Sequence, residues 1–269
     1  MNLIDSHCHL DFPELAEGLE QELDACADAG VNQIIIPGVT AAEWQRVLDS
    51  TLFHHPVTRY AALGLHPCFL NHHSLKTDIE RLESLLRTRS NIVAVGECGL
   101  DLFIENPQLE QQLQLFDAQL ELAKQFELPV ILHVRRSVDL VLKSLRRHQL
   151  KEGGVAHAFS GSIQQAQEFA KLGFKIGIGG SITFERAQRL RKVVVEIPLT
   201  EILLETDAPD MPLNGFQGEP NRPSRVKLVA ECLAQLRGIS VEEVAEQTTA
   251  NASDLFKITG SDLRSDPTL

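Results

Sequence analysis

Eight short apolar runs, each followed by a longer polar or amphipathic stretch, constrain what this chain can fold into more than any other feature. The runs are Leu3–Ile4, Ile34–Ile36, Tyr60–Leu65, Ile92–Val95, Val130–Leu132, Gly154–Ala156, Phe174–Ile178 and Ile202–Leu204. Their length and Val/Ile/Leu content suit strands buried on both faces, as in a parallel sheet. Between them, apolar residues recur at helical spacing. In Leu109–Phe126, Leu113, Phe116, Leu120 and Ala123 form one stripe with polar residues opposite. Val138–Leu145 and Ile163–Leu172 repeat the pattern, the second closed by Gly173, and Arg222-Pro223-Ser224 opens a further helix with proline near its first turn. About eight strand-then-helix units in 269 residues predict an α/β fold. The expected architecture is a TIM (β/α)₈ barrel in one domain over residues 1–260, with a polar tail over 261–269. The rival is an open doubly wound sheet, which usually leads with a phosphate-binding glycine loop. Neither G-x-G-x-x-G nor G-x-x-x-x-G-K-[ST] occurs here.

Charge narrows the function classes. The formal net charge is −12, which excludes non-specific polyanion binding of the histone kind, so any nucleic acid must be gripped locally. Cys8, Cys26, Cys68, Cys98 and Cys232 contain no C-x-x-C pair, which argues against a disulfide framework or structural zinc site and for a reducing compartment. The opening MNLIDSHCHL has no basic region followed by a long apolar one, and no stretch approaches the roughly 18 apolar residues that span a bilayer. The expectation is a cytoplasmic protein with no membrane association and no obligate protein partner.

The informative polar residues are positional. His7 and His9 follow the first run, His66 the third, Glu97 the fourth, His133 the fifth, His157 the sixth and Asp207 the eighth. In a TIM barrel the C-terminal strand ends form the active-site mouth, so these residues converge. Side-chain alternation sends His7 and His9 to one face with Cys8 opposite, and puts Asp5 below His7, Arg135 above His133 and Glu205 below Asp207. Any one such histidine, read singly, is packing. Six ligand-type residues at one end of successive strands are different, because burying them together is costly unless a cation compensates. Four imidazoles and two carboxylates exceed the needs of one tetrahedral zinc and suit two adjacent divalent cations. The economical assignment gives His7, His9 and Asp207 to one ion and His133 and His157 to the other, with Glu97 bridging. Nitrogen-rich ligation favours Zn²⁺, Mn²⁺, Ni²⁺ or Co²⁺ over Mg²⁺.

The segments carrying these residues are Asp5-Ser-His-Cys-His-Leu-Asp11, Gly64-Leu-His-Pro67, Gly96-Glu-Cys-Gly-Leu-Asp101, Pro129-Val-Ile-Leu-His-Val-Arg135, His157-Ala-Phe-Ser-Gly161 and Leu204-Glu-Thr-Asp-Ala-Pro209. In order, and with the late Asn251-Ala-Ser-Asp-Leu-Phe256, they resemble the successive motifs of TatD-type metal-dependent hydrolases over essentially the whole chain. The resemblance implies a TIM barrel of the amidohydrolase type with two divalent metals and deoxyribonuclease activity. It implies His7, His9, Glu97, His133, His157 and Asp207 as metal ligands, with His66 and Arg135 at the mouth. Two departures stand. Leu102 follows Asp101 where many relatives carry an aromatic, and the family's Arg/Lys-rich stretch reads here as Asn214-Gly-Phe-Gln-Gly-Glu-Pro-Asn-Arg-Pro223, without that charge.

The reaction expected of this set is metal-assisted hydrolysis of a phosphoester. Coordination lowers the pKa of water from roughly 15.7 to about 7, and Asp207 is the candidate general base beside the bridging Glu97. Glu205 is read either as a partner holding a ligand imidazole or as one half of a buried ion pair with Arg135. Arg135 suits bidentate phosphate recognition, and His66 either donates to a phosphoryl oxygen or anchors the Leu65-His66-Pro67 turn. Support for DNA is thin. Basic clusters stand at Arg135-Arg136, Lys143/Arg146/Arg147 and Arg186/Arg189/Arg191/Lys192, but most belong to expected outer helices and read as solvated helix faces. Phe12, Phe69, Phe159 and Phe216 lie on mouth loops, where packing is the blander role and base stacking the sharper one. A single-stranded or frayed DNA end is the substrate expected, with specificity set by loops around Phe12–Glu14, Phe69–Thr77 and Met211–Pro220. The main alternative is amide or ester hydrolysis by the same metal pair, disfavoured by a glutamate at position 97 where such barrels often bridge with a modified lysine. A metal-stabilised binding scaffold without catalysis is weaker still, because structural zinc sites are closed.

Overall fold

The computed structural model describes residues 1–258, so the tail expected over 261–269 lies outside the described residues. The strands are β1 (Leu3–Asp5), β2 (Val31–Pro37), β3 (Thr58–Leu63), β4 (Ile92–Asp101), β5 (Val130–Arg135), β6 (Gly154–Ala156), β7 (Phe174–Ile178) and β8 (Ile202–Leu204). They are parallel and hydrogen-bonded in chain order. The Ser6 N–H donates to the Leu204 carbonyl at 2.9 Å, and Cys8 and Ala208 form a further parallel bridge. The sheet thereby closes into the expected single TIM barrel. Around it run α1 (Pro13–Ala16), α2 (Leu19–Ala29), α3 (Trp44–Leu52), α4 (Leu75–Thr88), α5 (Leu109–Gln125), α6 (Val138–His148), α7 (Ile163–Ala170), α8 (Gln188–Glu196), α9 (Val226–Arg237) and α10 (Val241–Phe256). No helix among the described residues is long and apolar enough to cross a membrane.

Alternation along the strands sorts the apolar residues into two cores. Ile34, Ile36, Leu63, Val95, Leu132 and Ile176 face the helices, where they meet residues such as Trp44 and Phe116. Ile4, Ile35, Tyr60, Ala62, Ala94, Ile131, Val155 and Leu203 fill the barrel interior, plugged from below by Ala252, Leu255 and Phe256 at the end of α10. That plug is held by Asn251, whose amide donates to the carbonyls of Leu199 and Ile202 at the foot of β8. With a period of two, the interior residues Ile131, Val155 and Leu203 put His133, His157 and Glu205 on the same inner face, one step nearer the mouth.

Three departures from the sequence reading bear on the site. The stacking of Asp5 beneath His7 on one face does not hold. Leu3 belongs to the helix-facing core and Ile4 to the interior, and the chain bends at Ser6, which breaks the alternation, so the Asp5 carboxylate meets the His7 backbone N–H instead of lying beneath its ring. Strand β4 runs on to Asp101 rather than ending near Val95, across a register irregularity between Val95 and Cys98. Gly99 permits this continuation: its φ is +143°, and a Cβ there would stand 2.1 Å from the His133 carbonyl oxygen. Strand β5 likewise continues to Arg135.

Candidate active site

Closure of the barrel at β1 and β8 assembles the first part of the site. One oxygen of the buried Asp5 carboxylate accepts from the N–H groups of His7 (3.3 Å) and Thr206 (2.9 Å), and the other accepts from the Thr206 hydroxyl at 2.6 Å. The Asp207 N–H donates to the His7 carbonyl and the His9 N–H to the Ala208 carbonyl. The Asn221 amide donates to the Thr206 carbonyl from the far side. Held this way, His7 Nε2 and His9 Nε2 lie 3.3 Å apart and 3.4 and 3.7 Å from Asp207 Oδ1. The His9 ring has a determined tautomer: its Nδ1 faces the Pro37 carbonyl at 3.2 Å, an acceptor only, so Nδ1 carries the proton and neutral His9 turns a lone pair inward.

Glu97 is the hub. Its Oε1 lies 2.9 Å from His133 Nδ1, 3.0 Å from His157 Nε2 and 3.1 Å from His66 Nε2. Its Oε2 lies 3.2 Å from His7 Nε2 and 3.6 Å from His9 Nε2. The two oxygens thus face two separate groups of imidazoles. His7 also stacks on His157, ring centres 3.8 Å apart. All six residues expected as ligands meet here.

His66, expected at the mouth, serves its turn and the centre together. Its Nδ1 accepts from the Cys68 N–H at 3.1 Å, so the neutral ring has its proton on Nε2, as a donor aimed at Glu97. Glu205 lies beneath His157, 3.6 Å from its Nδ1, and accepts from the Ala158 N–H at 2.5 Å. Gly177 makes room for it, since a Cβ there would come within 2.3 Å of the carboxylate. Arg135 is elsewhere: its guanidinium is half-exposed, 3.9 Å from Asp101 and 3.9 Å above the Phe103 ring. The alternative of a buried Glu205–Arg135 ion pair is therefore not what the chain forms.

Three residues here were not picked out from sequence. Asp101 accepts from His133 Nε2 at 2.9 Å, from the Phe103 N–H at 2.7 Å and from the Cys68 thiol at 3.3 Å. Its signal was parity, because Glu97, Gly99 and Asp101 share one face of an extended strand. Phe103 is an exposed aromatic under Arg135 and Arg136, displaced one residue from where the motif carries one. Asp5, noted only for its parity, ties β1 to the Asp207 segment. Of the aromatics expected on the mouth loops, Phe12 stacks on His9 and lines the cavity, as does the half-exposed Phe69. Phe159 is buried against Phe169, and Phe216 packs under Arg225.

The charges are strongly coupled. Burial, then the neighbouring His157, pushes His7 well below the ordinary imidazole range, and burial brings His9 down to about 4. Burial alone would raise Glu97, but His157, His66 and His7 hold it well below the usual carboxylate range. Burial works against the charged form of His157, yet the Glu97 and Asp207 carboxylates raise it well above normal. Burial pushes Asp207 up to about 8; His157 opposes this, while Glu97, Glu205 and Asp210 add to it. A cluster whose members trade protons to balance charge is one in which cations do that work better. The donor set fits divalent ions: imidazole nitrogens and carboxylate oxygens converge, with no lysine or arginine in the inner cluster among the described residues. His7 Nδ1 and His157 Nδ1, both buried, have no hydrogen-bond partner among the described residues. His7, His9 and Asp207 form one compact donor group, and Glu97, His133 and His157 another. The site opens into a cavity of about 600 Å³ whose walls include Phe12, Phe69, Arg135, Asp210 and Met211.

Nearly all of the chain has counterparts among known proteins. The family model described as TatD related DNase matches residues 4–257. The uncharacterized metal-dependent hydrolase YjjV of Escherichia coli (strain K12) is 49% identical over 256 residues, covering 95% of this chain and 98% of that protein. The 3'-5' ssDNA/RNA exonuclease TatD of Erwinia amylovora is 34% identical over 263 residues, covering 94% and 99% respectively. The crystal structure of YjjV matches with a TM-score of 0.92 over 96% of this chain and 98% of that one.

Proposed function

The chain belongs to the TatD family of metal-dependent hydrolases, and from that footing we propose that it cleaves phosphodiester bonds of single-stranded DNA from the 3′ end, using two divalent cations. The observation that carries this reading is the division of labour at Glu97, with one oxygen facing His7 and His9 and the other facing His133 and His157. Asp207 completes the first group. The direction of cleavage is supported by the likeness to the Erwinia exonuclease.

The chemistry such cations supply is Lewis acidity towards phosphoryl oxygens and water. The chain does the rest. Asp207 has a side chain 15% exposed, against 3% for Glu97, so it is the inner carboxylate that reaches solvent and takes the proton of the attacking water. His66 Nε2–H donates hydrogen bonds at the mouth side of Glu97. Arg135, whose nearest carboxylate among the described residues is Asp101 at 3.9 Å, offers a planar pair of donors to a phosphate. Glu205 steadies the His157 ring from below. Zn²⁺ and Mn²⁺ suit this nitrogen-rich set better than Mg²⁺.

The test is stepwise shortening of a 5′-labelled single-stranded oligonucleotide with Mn²⁺ present; labelled mononucleotide released at the outset would instead mean cleavage from the 5′ end. Asp207→Asn should lower the rate by about 10²–10⁴-fold without altering the circular dichroism spectrum. Turnover of amide or carboxylic ester substrates alone would replace phosphodiester hydrolysis with the amidohydrolase reading, and full activity in Asp207→Asn would remove its assigned role.

A further inference from the structure

Next to the reaction cavity lies a second, of about 470 Å³. Val134, His157 and Ser160 line both, so the two share a wall. The second cavity brings together Arg136, just after β5, and Arg189 on α8. Arg136 is exposed and holds φ +54°, a left-handed conformation that long side chains rarely adopt and that tends to persist where function requires it. Its guanidinium lies 4.4 Å from the Phe103 ring centre and pairs with no carboxylate among the described residues. Arg189 is fixed by donating from Nε to the Gly161 carbonyl at 3.1 Å and from Nη2 to Gln165 at 3.4 Å, which leaves further donors free. Among the described residues, Asp139 is the one acidic side chain lining this cavity.

Elsewhere several of the arginines and lysines flagged in the sequence are held in ion pairs. Arg146 pairs with Glu168, Arg147 with Asp117 and Lys192 with Glu196. A chain of net charge −12 must hold a polyanion at a few local points. The reaction cavity itself offers one guanidinium, Arg135, and carries Asp210 outside the inner cluster. A scissile phosphodiester in that cavity has nucleotides attached, and the strand must leave through some part of its wall. We propose that the second cavity takes the sugar-phosphate of the nucleotide next to the scissile bond, with Arg136 and Arg189 binding its phosphate. This rests on the phosphodiesterase reading of the main site and adds to it a second, charge-based contact that sets preference for a strand over an isolated phosphoester.

The experiment is fluorescence anisotropy of a 5′-labelled ten-nucleotide DNA strand on the Asp207→Asn protein, which binds without turnover, over a salt series. Arg136→Gln and Arg189→Gln should each weaken binding about tenfold, as expected for loss of one charged hydrogen-bonded contact. Each should also reduce the slope of log affinity against log salt by about 0.7. Arg146→Gln, whose partner is Glu168 on the outer helices, should change neither. Arg189 also braces the Gly161 loop, so Arg136→Glu, at a side chain with no hydrogen bond to lose among the described residues, is the safer second variant; it should weaken binding further at an unchanged melting temperature. Binding and slope equal to the parent in both Arg136 variants would overturn the inference while leaving the phosphodiesterase reading intact. A parent protein that does not bind the strand, with a wild type that releases no nucleotide, would remove both.

Discussion

His133 shows how much of this site is decided one side chain at a time. Its Nδ1 faces Glu97 and its Nε2 donates to Asp101, so the ring is gripped from both ends. Burial acts against the charged ring, but hydrogen bonds to Asp101 and Glu97 raise it above the ordinary imidazole range. The Asp101 carboxylate matters because it accepts only. It keeps a proton on Nε2 and leaves Nδ1 for the centre. Asp101→Asn preserves the size but lets an amide donate to Nε2, which favours the wrong tautomer. Metal affinity and kcat/KM should both fall about 10–100-fold while the melting temperature moves little. Titration calorimetry with Mn²⁺ on the variant checks this, and unchanged affinity would reduce Asp101 to a turn-holding residue. The six inner residues were legible in the sequence because each is a ligand type just past an apolar run. Asp101 was hidden because the strand seemed to stop near Val95, and parity cannot be counted along a strand thought to have ended.

At the scale of the element, α5 acts as a splint for two strand ends. Gln112 and Gln119, seven residues apart and so on one face of the helix, are both fully buried. Gln119 accepts from the Leu65 N–H at 2.7 Å and donates to the Leu65 carbonyl at 3.1 Å, holding the backbone just before His66. Gln112 does the same for Asp101, at 2.8 Å in each direction. Each side chain thus replaces the missing strand neighbour where the backbone leaves the sheet. Gln119→Leu orphans a buried N–H and C=O, at about 1–3 kcal/mol per group. The expected outcome is a lower melting temperature together with a kcat loss larger than in a variant of equal stability elsewhere in the barrel, such as Val193→Ala in α8. Equal losses would mean that Gln119 serves stability alone. The helix was legible from its Leu113, Phe116, Leu120 and Ala123 stripe, but a stripe reports which face is apolar and says nothing of two glutamines buried beside it. Strands β6, β7 and β8 were legible to the residue because their apolar runs are bounded by glycine or by polar residues, whereas β4 itself passes through Gly96 and Gly99, which read as a stop.

For the whole molecule, the barrel separates stability from chemistry along its axis. The foot is sealed by α10, with Asn251 tying it to β8 and Ala252, Leu255 and Phe256 filling the interior. Above that apolar plug stands a layer of imidazoles and carboxylates, and above that the loops carrying Phe12, Phe69 and Phe103. The mouth was legible because strand ends in a parallel barrel must converge. The second cavity was not: it depends on how the segments after β5 and β6 pack against α8, and Arg136 and Arg189 look in sequence like any other solvated cations. The most direct measurement is anomalous diffraction from crystals of the Mn²⁺-loaded protein. Two peaks should appear, one beside Glu97 Oε2 with His7, His9 and Asp207, the other beside Oε1 with His133 and His157. A single ion, or ions bound away from Glu97, would contradict a two-metal centre bridged by that carboxylate.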